Sequence, residues 1–144
     1  MSNFGFLKDK TEYAMFADAA IEAEKVYASA PAMSAVGSRK ALELAVKWVY
    51  AADKTMEMPY KDNLQSLIHE PTFRFALDTQ TWGKLPYIIR LGNLAVHTDR
   101  EVLASDALLS LQGLFEFRGG IENRPLFHCV KNLTEKTDCG IVRV

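Results

Sequence analysis

Apolar positions recur at three- and four-residue steps along most of the chain, and breakers divide them into helical blocks. Between Thr11 and Ala30, the residues Tyr13, Phe16, Ala20, Ala23 and Tyr27 fall on one helical face. Pro31 reads as the stop, because proline disfavours helix at the residue before it. A second block from Ser34 to Ala52 carries Ala41, Leu44, Ala45, Trp48 and Val49 as its apolar stripe. Arg39, Glu43 and Lys47 stand four apart on another face, a spacing at which each neighbouring pair gains ~0.2–0.5 kcal/mol as a salt ladder. Asp53 to Pro59 reads as a connector. Lys61 to Glu70 predicts a third helix with Leu64, Leu67 and Ile68 inward, ending before Pro71. Residues 71–85 hold Phe73, Phe75, Leu77, Trp82 and Leu85, but Pro71 and Gly83 break the period into short turns.

Pro86 suits the first position of a new helix, where its missing N–H costs nothing, and that helix carries Tyr87 to His97. Thr98-Asp99-Arg100-Glu101 fits a capping box, so the last helix is predicted from Asp99 to Phe117 with Leu103, Ala107, Leu111 and Leu114 inward. Gly119-Gly120 reads as its end. The sequence beyond, with Pro125 and Gly140, shows no helical period and is expected to be disordered or to form short strands. The expected architecture is all-α: a bundle of four to five helices over 1–117, with a non-helical tail over 118–144.

Composition narrows the function classes. The chain has 144 residues, 49% apolar and 24% charged, with 17 Lys+Arg against 18 Asp+Glu. That size fits one folding unit with a sizeable core. The formal net charge of −1 excludes a wholesale polyanion binder. Residues 1–117 carry twelve basic and fifteen acidic side chains, so any nucleic-acid contact is confined to a local patch. No apolar run reaches the ~18–20 residues of a membrane helix. Lys8, Asp9 and Lys10 stand where a signal peptide would continue its apolar stretch. The two cysteines, Cys129 and Cys139, read as free thiols of a reducing compartment. His128 beside Cys129 is too little for a metal site. The expectation is a soluble cytoplasmic protein without metal or cofactor.

Most enzyme signatures are absent, among them the Walker loop, the nucleophile elbow, the zinc-protease helix and the dinucleotide fingerprint. Glu22, Glu24 and Lys25 resemble an acidic-plus-lysine nuclease fragment but lack its strand context, and a solvated helix face accounts for them. Trp48 and Trp82 read as core or interface aromatics.

One segment gathers chemistry. At ~100° per residue, Arg90, Asn93 and His97 fall within a sector of about 60° on one helix face. Arginine can fork onto phosphate oxygens, histidine can move a proton near neutral pH, and asparagine can orient either the histidine or a substrate. Gly92 costs ~1 kcal/mol of helix stability relative to Ala but lets a neighbouring backbone or a ligand come close. A structural role fits the same residues: Arg90 and His97 paired with acids such as Glu43, and Asn93 capping a loop. Arg39, Lys47 and Arg100 are candidate phosphate contacts around this stripe. The alternative for Arg39 and Lys47 is the salt ladder with Glu43, and for Arg100 an ordinary surface position.

Ser2 to Leu7, the block Arg39-Lys40-Ala41-Leu42-Glu43-Leu44-Ala45-Val46-Lys47-Trp48-Val49-Tyr50, and Ile89 to His97 together resemble one family. It is the N-terminal helical domain of unknown function of type I restriction enzyme R subunits, itself similar to the HEPN superfamily of small helical bundles. The resemblance covers about residues 1–117. It implies a HEPN-like fold, a homodimer, and an accessory role in defence by restriction–modification, with the system's other subunits and RNA or DNA as partners. Ribonuclease members of the superfamily carry an Arg, four to six residues, and a His, a spacing that Arg90 and His97 match. For those members the resemblance implies metal-independent RNA cleavage across a dimer, with His97 assisting the ribose 2′-hydroxyl and Arg90 holding the phosphate. Leu91 stands where active members commonly place a polar residue. The nuclease and helicase cores of an R subunit are absent from this sequence, and a non-catalytic truncated remnant is the third reading.

Overall fold

The computed structural model describes residues 14–52, 55–97 and 101–123. Seven helices follow in order: α1 (Ala14–Val26), α2 (Pro31–Ala52), α3 (Leu64–His69), α4 (Pro71–Arg74), α5 (Thr79–Trp82), α6 (Leu85–His97) and α7 (Ala104–Asn123). There is no strand among the described residues, so the all-α expectation holds. The four long helices α1, α2, α6 and α7 form the bundle, and α2 packs against each of the other three.

Proline begins the second helix here. Pro31 is the first residue of α2, where its fixed φ suits a helix and its missing N–H has no partner to lose. The stop falls earlier, in the turn after Val26, whose carbonyl accepts from the Ala30 N–H at 2.7 Å. Ser34 then ties the two helices together, its buried hydroxyl donating to the Ala23 carbonyl at 2.7 Å. Pro86, expected at the first helical position, is the second residue of α6.

The short helices α3 to α5 form where the sequence predicted broken turns, and each starts on a side-chain cap. Asn63 accepts from the Ser66 N–H at 2.9 Å, Glu70 from the Thr72 N–H at 2.8 Å, and Asp78 from the Thr81 N–H at 3.3 Å. Hydrogen bonding to Thr81 also holds the Asp78 carboxyl below its usual value. Trp82 closes this segment. Its indole donates to the Ile68 carbonyl at 2.8 Å, and the Arg74 guanidinium lies 4.3 Å above its ring.

The last helix departs from expectation at both ends. Residues 98–100, with the Thr98 cap and Arg100, lie outside the described residues; Glu101 is exposed and not helical, and α7 starts at Ala104. Asp106 supplies the reach-back bond instead, accepting from the Leu103 N–H at 3.3 Å. Leu103, expected in the core, is 53% exposed because it precedes the helix. Gly119-Gly120 does not stop α7, which continues to Asn123, so the start of the expected tail is helical. Tertiary packing overrides a cost of ~1 kcal/mol per glycine: Phe117 is buried just before them, and a methyl on Gly120 would touch Leu77 at 3.4 Å. The remainder of that tail lies outside the described residues.

The main core joins Phe16, Leu42, Val46, Val49, Ile68, Phe73, Leu85, Ile88, Leu114 and Phe117. Tyr50 stacks on Phe73 at 5.9 Å between centroids, and Phe73 meets Phe117 at 6.1 Å. A smaller cluster of Ala35, Leu91 and Val102 fills the opposite end, with Tyr87, Leu94 and Ala95 packed on it. Between the two, α6 runs antiparallel to α2 at very short range. A methyl on Gly92 would stand 2.6 Å from Arg39 Cβ and 3.2 Å from the Ala35 carbonyl oxygen.

Two stability predictions follow from this packing. Gly92→Ala should destabilise by ~1–3 kcal/mol through overpacking, despite its better helix propensity; a urea midpoint at or above wild type would refute the close contact. The Tyr50 hydroxyl donates to the Leu67 carbonyl at 2.6 Å, and burial, aided by Glu70, pushes its pKa up to about 12. Folding therefore favours the neutral phenol, so this contribution is intact below the unfolded value near pH ~10 and fades as pH rises through the folded one. Tyr50→Phe should cost ~1 kcal/mol at pH 7 and flatten the alkaline loss, as read from unfolding curves between neutral pH and pH ~11.

Candidate functional site

The helical period of α6 sorts its side chains into two sets. Leu85, Ile88, Ile89, Leu91 and Gly92 are buried. Arg90, Asn93 and His97 are exposed, as the ~100° step requires for residues on the opposite arc. The three predicted residues therefore share one solvent-facing stripe. Arg90 and His97 stand seven residues apart, about 10 Å along the helix axis at ~1.5 Å per residue, so their side chains flank a space wide enough for one phosphate group.

The structural alternatives find no partner for this stripe among the described residues. Among the described residues, neither Arg90 nor His97 pairs with an acid, and Glu43 approaches neither. Asn93 caps no loop among them. The Arg39–Glu43–Lys47 ladder is not formed either, although the three residues lie on α2 at ladder spacing. Surface pairs of this kind gain little after side-chain entropy is counted, so their absence costs the fold almost nothing. Glu22 and Lys25 do pair, at 3.6 Å and both exposed, the solvated face that their spacing predicted.

Arg39, on α2, is the predicted site residue of another helix that the structure brings against α6. Its aliphatic stem crosses the backbone at Gly92, with Cδ 2.8 Å from where a glycine methyl would stand. Its Nε is buried without a hydrogen-bond partner. Lys47 is exposed two turns further along α2, and Arg100 lies outside the described residues. Tyr87 adds a neighbour on α6. Burial lifts its phenol above the usual value and Asp106 pushes the same way, while Arg90 opposes them.

Two features escaped the sequence reading. Lys84, in the turn just before α6, pairs with Glu116 of α7, a contact thirty-two residues apart that no local pattern announces. At the end of the bundle where α1 turns into α2 and α6 leads into α7, a groove of about 600 Å³ is lined by Pro31, Met33, Ala95, Val102, Leu103 and Ala104. Met33 is 68% exposed there, and Val96 beside it on α6 is 59% exposed. Leu103 gave no signal of this, because the capping-box reading placed it inside its helix.

Among the described residues no cluster of His, Cys, Asp and Glu could hold a metal ion, and no helix is long and apolar enough to cross a membrane. Comparison with family models, curated proteins and solved structures finds no match. The likeness to restriction-enzyme and HEPN domains thus stands on the motif residues alone.

Because Arg90 and His97 are exposed and pair with no acid among the described residues, Arg90→Ala and His97→Ala should each leave stability within about 0.5 kcal/mol of wild type. A loss above ~1.5 kcal/mol in chemical denaturation of either variant would restore a structural role.

Proposed function

We propose that the protein is an accessory interaction domain that contacts the phosphate backbone of nucleic acid through the outer face of α6. One observation carries this reading: Arg90, Asn93 and His97 are all exposed on one stripe, and neither Arg90 nor His97 forms an ion pair with another described residue. An arginine fork and a donor amide suit phosphate oxygens. Most hydrogen bonds to nucleic acid fall on the backbone, which positions a chain without reading its sequence. The resemblance to the N-terminal domain of type I restriction enzyme R subunits supports a defence-related setting, in which restriction–modification subunits are the protein partners. The location that goes with this setting is the cytoplasm, and no cofactor enters the proposal.

The test is fluorescence anisotropy with single-stranded RNA and DNA at low salt. Binding should weaken with salt as expected for few contacts, each adding a slope of ~0.7 in log Kd against log salt. Arg90→Ala should weaken it several-fold. Absence of binding to either strand at the lowest salt would rule the reading out.

The shared face of Arg90 and His97 also favours a metal-independent endoribonuclease, built across a homodimer. His97 would take the proton of a ribose 2′-hydroxyl as its oxygen attacks phosphorus, leaving a cyclic phosphate and a free 5′-hydroxyl. Arg90 would hold the charge that builds on the phosphate oxygens, and Asn93 would orient the imidazole or the substrate. Structured RNA incubated in EDTA should then be cut by the wild type and spared by His97→Ala. Equal cutting by both, or by neither, removes this second reading and leaves the binding role.

A further inference from the structure

We propose that His69 and Arg74 form a phosphate-binding site on the outer side of the Trp82 indole, built by α3 to α5 rather than by the α6 stripe. It does not depend on the phosphate-contacting role of that stripe. The three residues close three short helices: His69 is the last residue of α3, Arg74 of α4 and Trp82 of α5. Trp82 is half-buried against the main core, and its Nε1–H donates to the Ile68 carbonyl at 2.8 Å. The Arg74 guanidinium lies 4.3 Å over the indole, and the His69 ring meets it edge-on at 5.2 Å. Both side chains are exposed, so they gather where the indole faces water and not where it faces the core.

The contacts with Trp82 leave hydrogen-bonding groups of both side chains unused. The attraction of a guanidinium to a ring face involves no hydrogen-bond acceptor, so the Arg74 fork stays open to two oxygens of one phosphate. In His69, Nδ1 lies 2.8 Å from the Gln65 carbonyl oxygen. A carbonyl only accepts, so Nδ1 carries the proton and Nε2 is the nitrogen left for a ligand. A neutral ring accepts there from a protonated phosphate oxygen, and a charged ring donates to an unprotonated one.

No acid among the described residues answers these two groups. The carboxylates nearest to them in sequence already serve as caps: Glu70 accepts from the Thr72 N–H and hydroxyl, and Asp78 from the Thr81 N–H. Neither Arg74 nor His69 forms an ion pair with a described residue. An apolar side chain would cover the indole as well, so packing alone does not account for two basic groups at one place. A phosphate with a hydrogen bond on either side spans roughly 8 Å, the scale on which two groups lying against one indole are separated. The ligand is a phosphate group, in a nucleic-acid strand or as the free ion.

Proton–nitrogen NMR of the ring nitrogens tests this on the whole chain, with signals assigned by their disappearance in His69→Gln and Trp82→Phe. His69 Nε2 and the Trp82 Nε1–H should shift saturably with inorganic phosphate or with a short 5′-phosphorylated single-stranded oligonucleotide. Shifts with phosphate alone assign the site to the free ion, and shifts with the oligonucleotide assign it to a strand. Arg74→Lys, which keeps the charge but loses the fork, should bind the effective probe about tenfold more weakly, and His69→Gln should weaken it several-fold. Both variants are checked for folding by circular dichroism. Arg90→Ala should leave the shifts unchanged, because the site includes no residue of α6. Wild-type rings unmoved by either probe, or unchanged affinity in a folded Arg74→Lys or His69→Gln, overturn the site. Loss of the shifts in Arg90→Ala overturns its independence and assigns the phosphate to the α6 face. If the rings stay unmoved while oligonucleotide binding still weakens in Arg90→Ala, this inference falls and the α6 reading stands.

Discussion

The arrangement depends on how closely α6 approaches α2. That distance is set at Gly92, where the Ala35 carbonyl and the Arg39 stem occupy the space that any side chain would need. A helix held this near fixes its own rotation, because turning it would drive Leu91 or Asn93 into α2. Leu85, Ile88 and Ile89 are then committed to the main core and Leu91 to the smaller cluster. The polar stripe faces water as a consequence of the same constraint. Packing and candidate chemistry are thus two sides of one contact, in which the fold gives up ~1 kcal/mol of helix propensity.

The segment between α2 and α6 works by different means. Residues 55–83 contain three helices too short to be stable alone, since a helix nucleus is costly to form. They are held by caps and aromatic contacts: Thr72 accepts from the Glu57 N–H at 3.1 Å, and Trp82 meets His69 edge-on at 5.2 Å. Phe73 and Leu77 bury themselves from this segment, so it closes one end of the core without a long helix. At the opposite end, the described residues leave an apolar groove beside Met33 and Leu103.

Much of the fold was legible because apolar residues at helical spacing must face a partner. Phe16, Ala20 and Ala23 are buried as their spacing requires, and so are Leu64, Leu67 and Ile68. Boundaries were less legible, for reasons that lie outside any local window. Pro31 has opposite meanings on either side of itself, and only the tight turn from Val26 to Ala30 decides between them. Gly119 and Gly120 look like a stop until Leu77 and Phe117 bury that stretch of α7. The candidate stripe was legible down to its residues, since it is a matter of angle along one helix. The close contact of Arg39 with Gly92 was not, because it joins two helices at a position without a side chain.

Charge distribution decides what kind of recognition such a surface can support. Residues 1–117 carry fewer bases than acids, so no long-range field draws a polyanion toward the bundle, and screening removes most of what a single arginine projects beyond ~8–10 Å. Affinity must then come from short-range geometry. An arginine fork defines a direction as well as a charge, which a row of flexible surface lysines does not. Lysine is a strongly hydrated point charge, whereas arginine pays less to shed water and gives two parallel bonds. A domain without electrostatic reach therefore depends on the geometry of the exposed α6 stripe, which the close contact at Gly92 holds toward water.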